Sequence, residues 1–403
     1  MKKTVKSGAL SIYQQLGIDP HKSSVREIFA KVVQNDIHGM FVNVIKDRRN
    51  PGWFKTKHPD GDGSKFIQRI LHFMETGDIT VIQGAVDDAL SMNTGDISAG
   101  GFVEEYDVTQ ICNAGVDDEM KDAILRQIAL RLIEIFDLYR QHGFIINFFG
   151  GETAQLHDQV GSWVYDMDIE SSVHETNLIR GNVAVRDHIW GMASYGQAVW
   201  ENRPNSGLMS NGVTAARIYS MLAEYARKYP WLCRRDEKKH FCGRYSVTDS
   251  HKLLDPLGLT VSEAIMSPTR QWALVIKLII EKLWEQEAFH LLHGISMNTG
   301  GGATKIKHVG KGILYVKAMP ALAPFFQFLQ GEMNESIEHM FTTFNCGIGV
   351  DIVGSPEGDI LKNTLKMVSE ETGIDLFSLG ECSKARTEKN DVVVSLDPNN
   401  KPI

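Results

Sequence analysis

Apolar positions over residues 117–143, DDEMKDAILRQIALRLIEIFDLYRQHG, recur at steps of four and three. Ile124, Ile128, Leu132, Ile135 and Leu138 form one stripe, which predicts an amphipathic helix. Asp117 or Asp118 can cap its start, and Gly143 ends it. The next run, FIINFF, has the length and composition of a buried strand and leads into what reads as a glycine loop, GGETA. The same grammar reads DITVIQ as a strand and GAVDDALSMNTGD as a helix carrying Asp87, Asp88, Asn93 and Asp96. Asp88 and Asp96 are eight residues apart, slightly over two turns, so both carboxylates should lie near one face, where they could share a cation with a loop.

A second series begins near residue 175. NVAVRDHIWGMAS reads as a strand, NRPNSGLMSNG as a loop and VTAARIYSMLAEYARKY as a helix. A long helix is expected from Ser267, with Pro268 in its first turn and WALVIKLIIEKLW as its body. GILYVKAM, CGIGVDIVG and DVVVSL read as strands, with GDILKNTLKMVSEETG a helix. Strands and helices mix throughout, so the fold class is α/β (α+β) in two domains, 1–174 and 175–403, parted at the polar run DIESSVHETNLIRGN. A chain of 403 residues exceeds the size at which one core usually splits.

Composition narrows the function. With 43% hydrophobic residues and a net charge of −8, the chain reads as globular and disfavours nucleic-acid or anionic-membrane binding. No apolar run reaches membrane-spanning length, and a soluble cytoplasmic protein is expected. Five cysteines without a C-x-x-C point to reduced thiols. Cys233, His240 and Cys242 cluster in CRRDEKKHFC, but their spacing matches no common zinc finger, and a charged surface insertion explains them as well.

The chemistry concentrates in glycine loops. HPDGDGSK, residues 58–65, is not an EF-hand, because Lys65 and Leu71 stand where glycine and glutamate are needed, and it is not a Walker A loop. Its acids suit Mg²⁺, its glycines allow close backbone approach and Lys65 offers a point charge to phosphate; taken alone, it reads more readily as a solvated acidic turn, since DG dipeptides are primarily turn formers. GGETA carries Glu152 and Thr153, and MNTGGGATK offers three glycines, Thr304 and Lys305 as an anion cradle. Together with GLMSNG and FNCGIG, these loops suggest one composite phosphate and metal site.

In order along the chain, DGDGSK (60–65), the helix from Asp88 to Asp96, GGETA (150–154), MSNG (209–212), SPTR (267–270), MNTGGG (297–302) and TFNCGIG (343–349) resemble the motifs of the phosphoribosylformylglycinamidine cyclo-ligase (aminoimidazole ribonucleotide synthetase) family. That resemblance implies two α/β domains, with N-terminal sheets pairing into a barrel across a homodimer. It also implies ATP and Mg²⁺ as cofactors, and a ribonucleotide whose formyl amide oxygen is phosphorylated before ring closure. Asp60, Asp88 and Asp96 match the family's metal-binding acids, and Lys65, Asp96 and Glu152 stand for its catalytic groups. Gly61, Gly63, Ser64, Lys65, Gly150, Gly151, Thr153, Gly300, Gly301 and Gly302 stand for its ATP and phosphate contacts; Ser210, Asn211, Arg270 and Asn345 stand for its substrate contacts. The family's usual histidines before SNG and TGGG are Met209 and Met297 here, and the asparagine of its ND pair is Gly95. His293, Asn298 and His157 are the nearest substitutes along the chain. A non-cyclase paralogue that binds nucleotide, or another phosphoryl-transfer enzyme of the superfamily, is the alternative reading.

Overall fold

The computed structural model describes residues 10–18, 23–233 and 240–403. Two sheets organise it. The first holds β1 (Ile45–Lys46), β2 (Trp53–Gly61), β3 (Glu105–Ala114), β4 (Ile145–Gln155) and β5 (Trp163–His174) in the order β1-β2-β5-β3-β4. The second holds β6 (His188–Ala193), β7 (Leu292–Met297), β8 (Ile313–Met319), β9 (Ile348–Gly354), β10 (Leu376–Lys384) and β11 (Asp391–Leu396) in the order β11-β8-β10-β6-β9-β7. Pairing is antiparallel except for β3 with β4 and β8 with β11. The longer helices are α1 (Lys65–Thr76), α2 (Gly84–Ser98), α3 (Asp118–Gln141), α4 (Val213–Ser220), α5 (Trp272–Glu285), α6 (Pro324–Met333) and α7 (Ile360–Thr372). The first sheet stays open within one chain.

The stripe read for α3 is the face that packs: Ile124, Ile128, Leu132 and Ile135 are buried, and Asp117 caps the helix by accepting from the Met120 N–H. α2 behaves differently. It packs on β2 and β5 on one side and on α5 and β7 on the other, so every residue from Ala85 to Ser98 is buried. A helix enclosed on all sides shows no amphipathic stripe, and its buried acids need partners within the protein.

Several expected elements differ. DITVIQ is a 3-10 turn, Ile79–Gln83, whose start Asp78 caps by accepting from Thr80 N–H; a short apolar run does not by itself separate strand from helix. GGETA is no loop, because β4 continues through it to Gln155. Gly150, at φ +83°, is part of the extra residue that β4 inserts opposite β3 between Phe148 and Gly151, a bulge that glycine makes inexpensive. The helix read over VTAARIYSMLAEYARKY stops at Ser220, where Met221 and Leu222 bridge to Tyr245 and Gly243. Pro268 starts no helix. Other side chains claim the SPTR backbone: Asp88 accepts from Thr269 N, while Asn205 and Ser91 donate to the Pro268 and Arg270 carbonyls, and α5 begins only at Trp272. In HPDGDGSK the strand runs to Gly61, so only Asp62, Gly63 and Ser64 turn before α1 opens at Lys65.

Candidate functional site: two acids of one helix with opposite fates

Asp88 is wholly buried in a knot joining both halves of the chain. Its carboxylate accepts from Lys65 Nζ at 2.7 Å, Thr269 N at 2.7 Å, Thr269 Oγ1 at 2.6 Å and Ser210 Oγ at 3.1 Å, and from Arg69 Nη2. Burial raises its pKa, but Lys65 and Arg69 outweigh this and hold it down to about 2. Lys65 is equally enclosed. Its other two protons go to the carbonyls of Ser267 at 2.8 Å and Leu208 at 3.2 Å, so all three donors are spent on protein acceptors. Burial lowers the Lys65 pKa, against the pull of Asp88. Asp62 also lies at zero exposure: burial raises its pKa strongly, Arg69 counteracts and the adjoining Asp88 adds to the rise. Burial and the adjoining Asp88 thus favour the neutral form of this second carboxyl, against Arg69 at 3.6 Å.

Asp96 lies two turns further along α2, about 12 Å down the axis. It sits where the end of β2 meets the TGGG loop, with Oδ2 at 3.5 Å from His58 Nε2 and 3.9 Å from Lys305 Nζ. Its Oδ1 is buried without a hydrogen-bond partner. His58 Nδ1 is 3.1 Å from Asn93 Oδ1, and the Asn93 amide donates to the Asp60 carbonyl at 2.9 Å, so one turn of α2 holds both His58 and the Asp60 main chain. Asp60 Oδ1 accepts from Gly61 N at 2.8 Å. Lys305 donates to Thr299 Oγ1 and lies 5.1 Å from the Phe41 ring. Gly301 and Gly302 turn the loop at positive φ just before it, and Gly300 is half-buried beside them. The structure therefore brings together Asp96, His58 and Lys305 of the TGGG loop, with the Asp60 main chain tied to the same turn of α2.

A Mg²⁺ ion takes few protein carboxylates and fills its shell with phosphate oxygens and water. Asp96, with an unpartnered oxygen, fits such an ion. Asp88 does not, since its oxygens already serve five donors. Among the described residues no three His, Cys, Asp or Glu side chains gather as metal ligands. That includes Cys233, His240 and Cys242, and burial raises both thiols of that set, whereas metal ligation needs thiolates.

The other candidates are placed elsewhere. Arg270, 2% exposed, is clamped by both oxygens of Glu201, at 2.8 and 2.9 Å, and donates to the Ala193 carbonyl at 2.6 Å. Asn345 ties the Gly207 carbonyl to the Gly347 N–H, and Ser210 points to Asp88. Asn211 is half-buried, with an amide nitrogen that has no partner. Gly151, Glu152 and Thr153 are exposed on the edge strand β4. Asp60 lies opposite Met167, Met167 opposite Gln110 and Gln110 opposite Gly151, which puts three strand spacings, about 14 Å, between GGETA and the Asp60 turn. Met209 and Met297 are buried core residues, 3% and 1% exposed. Of the suggested imidazole substitutes, His293 is bonded to Asp187 at 2.7 Å and His157 is exposed beyond β4, while Asn298 donates to Asp351 at 3.1 Å.

A cleft of about 320 Å³ opens at the opposite end of α2, lined by Arg69, Asp87, Arg131, Trp200, Glu201 and Arg270. Its arginines are already matched, Arg131 to Asp87 at 2.8 Å and Arg270 to Glu201, so phosphate would have to displace existing ion pairs. The chemistry-bearing groups left open lie at Asp96 instead.

No family model matches the chain. It is 24% identical over 325 residues to a phosphoribosylformylglycinamidine cyclo-ligase of Methanococcus vannielii, covering 80% of this chain and 76% of that one. Over 386 residues it is 25% identical to the same enzyme of Alkaliphilus metalliredigens, covering 93% and 94%. Over most of its length the chain is thus similar to phosphoribosylformylglycinamidine cyclo-ligases at about a quarter identity. Among solved structures, T. maritima PurL complexed with FGAR superposes with a TM-score of 0.53 at 10% identity, over 94% of this chain and 49% of that chain. The shared architecture is the two-sheet fold of aminoimidazole ribonucleotide synthetases. Against the family's motifs, the departures at 95 and 297 form a matched pair: a Cβ on Gly95 would stand 3.1 Å from Met297 Cε. No helix among the described residues is long and apolar enough to cross a membrane.

Proposed function

We propose that this chain is an ATP-dependent enzyme that phosphorylates the formyl amide oxygen of formylglycinamidine ribonucleotide and so drives closure of the imidazole ring. The single observation supporting this best is the convergence of His58 and Lys305 of the TGGG loop on Asp96, with the Asp60 main chain tied to the same turn of α2. Phosphoryl transfer asks a protein mainly for position and countercharge, which those groups supply. The amide oxygen attacks the γ-phosphorus and ADP leaves; an internal nitrogen then adds to the activated carbon, expels phosphate and gives up its proton. Mg²⁺ held by Asp60 and Asp96 would offset negative charge on the transferring group.

A dimer belongs to this reading. The outer face of the first sheet exposes Trp53 (42%), Ile111 (46%) and Val164 (37%), with Glu152 beside Ile111, so a second copy covering that face would bring Glu152 to the partner's site. A second reading, a nucleotide-binding paralogue without cyclase activity, is favoured by the burial of Met209 and Met297, which leaves no imidazole at either position.

Incubation with Mg-ATP and formylglycinamidine ribonucleotide separates the two. The first reading expects ADP, phosphate and aminoimidazole ribonucleotide in equal amounts, and no ADP without the ribonucleotide. Nucleotide binding with no ring closure would leave the paralogue.

A further inference from the structure

We propose that Lys305, together with His58, is the pair that contacts the nucleotide's phosphates in this site, in the role that the DGDGSK motif would give to Lys65. The proposal rests on the nucleotide reading above and adds the residues that select the polyphosphate.

Three observations carry it. First, Lys65 has no proton left to offer: its ammonium is fully buried and donates to Asp88, Ser267 and Leu208. Releasing it would strand the Asp88 carboxylate inside the protein, which is costly. Secondly, Lys305 is differently situated. Its side chain is 14% exposed, it is engaged by one hydroxyl, Thr299 Oγ1, and it stands 3.9 Å from Asp96, beyond direct hydrogen-bonding distance. Thirdly, the His58 ring, 26% exposed, stands 3.5 Å from the same carboxylate oxygen, from the opposite element. Two nitrogen-bearing side chains thus converge loosely on one acid, beside a glycine turn, and the Lys305 ammonium has donors to spare. A polyphosphate sharing a metal ion with Asp96 would take up those donors and replace loose pairs with shorter, charge-assisted hydrogen bonds. Phe41, beneath the Lys305 ammonium at 5.1 Å, keeps that cation at the mouth in the absence of ligand.

The test is calorimetric and needs no turnover. Mg-AMP-PNP and adenosine are titrated into the wild-type chain and into Lys305→Ala, Lys305→Arg and His58→Gln, with thermal unfolding recorded for each. Lys305→Ala is expected to weaken Mg-AMP-PNP by about tenfold or more and His58→Gln by about threefold, adenosine binding being unchanged in both. Lys305→Arg, which keeps the charge, should fall between wild type and Lys305→Ala. A Lys305→Ala chain that unfolds as the wild type does and binds Mg-AMP-PNP equally well overturns the proposal, as does equal weakening of adenosine and Mg-AMP-PNP, which would mark a structural role. Wild-type protein that binds no nucleotide at all would instead overturn the nucleotide reading on which this one rests.

Discussion

At the scale of single residues, Lys65 shows how a motif can name the right neighbourhood and the wrong partner. Its sequence position beside two acids and two glycines suggests a phosphate contact, yet the fold turns it inward. We therefore expect Lys65→Ala to unfold earlier, losing about 3–5 kcal/mol in a denaturant titration, because it leaves Asp88 buried with a diminished countercharge. Asp88 also sets an acid limit. Its folded pKa, about 2, lies below the ordinary carboxylate value near 4, so its contribution is complete above about pH 4 and is lost as pH falls towards 2. Asp62 has the opposite sign: its raised pKa makes the neutral form the stabilising one, and its contribution is lost as pH rises through that folded value. Unfolding temperatures measured in glycerol from pH 2 to 6 should show the acid loss steepened in wild type and flattened in an Asp88→Asn variant. His58 was invisible to motif reading for a simple reason. HPDG looks like a turn, but residues 58 and 60 lie two apart on β2, so both side chains face α2, a relation that only the strand reveals.

At the scale of elements, what was legible was what repeats. The α3 stripe, α2 as a helix, α7 and the strands β6, β8, β9 and β11 all follow from periodicity or from apolar runs between turn residues. What failed was decided by tertiary partners: SPTR is extended because Asp88, Ser91 and Asn205 occupy its backbone groups, and GGETA stays in β4 because a bulge absorbs its glycine. The strands β2, β3 and β5 carry too many polar residues on their outer face to announce themselves. The packing of α2 against β7 gives a test of the matched departures. Gly95→Asn alone should cost about 1–3 kcal/mol by driving a side chain against Met297 Cε, and adding Met297→His should recover part of it. Additive losses in a double-mutant cycle would show that the two positions are not coupled.

At the scale of the whole molecule, the Asp88 knot fastens α1 and α2 to the 208–210 and 267–269 segments of the other half, while Asp96, on the same helix, meets His58 and Lys305. One end of α2 thus holds the two halves together, and the other is where we propose the chemistry takes place. Of the glycine loops, the TGGG loop lies beside Asp96, whereas GGETA lies about 14 Å from the Asp60 turn on an edge strand, and we propose that a second copy brings it into the site. Light scattering should accordingly find a dimer, and Glu152→Ala should lower turnover without shifting the unfolding temperature; a monomer with full activity would remove Glu152 from the site. The most direct measurement of the central claim is a crystal structure with Mg²⁺ and a nonhydrolysable ATP analogue. The account predicts the terminal phosphates between Lys305, His58 and the TGGG loop, with the metal on Asp96. Phosphates seated in the Arg131–Trp200 cleft at the other end of α2, or held by Lys65, would contradict it.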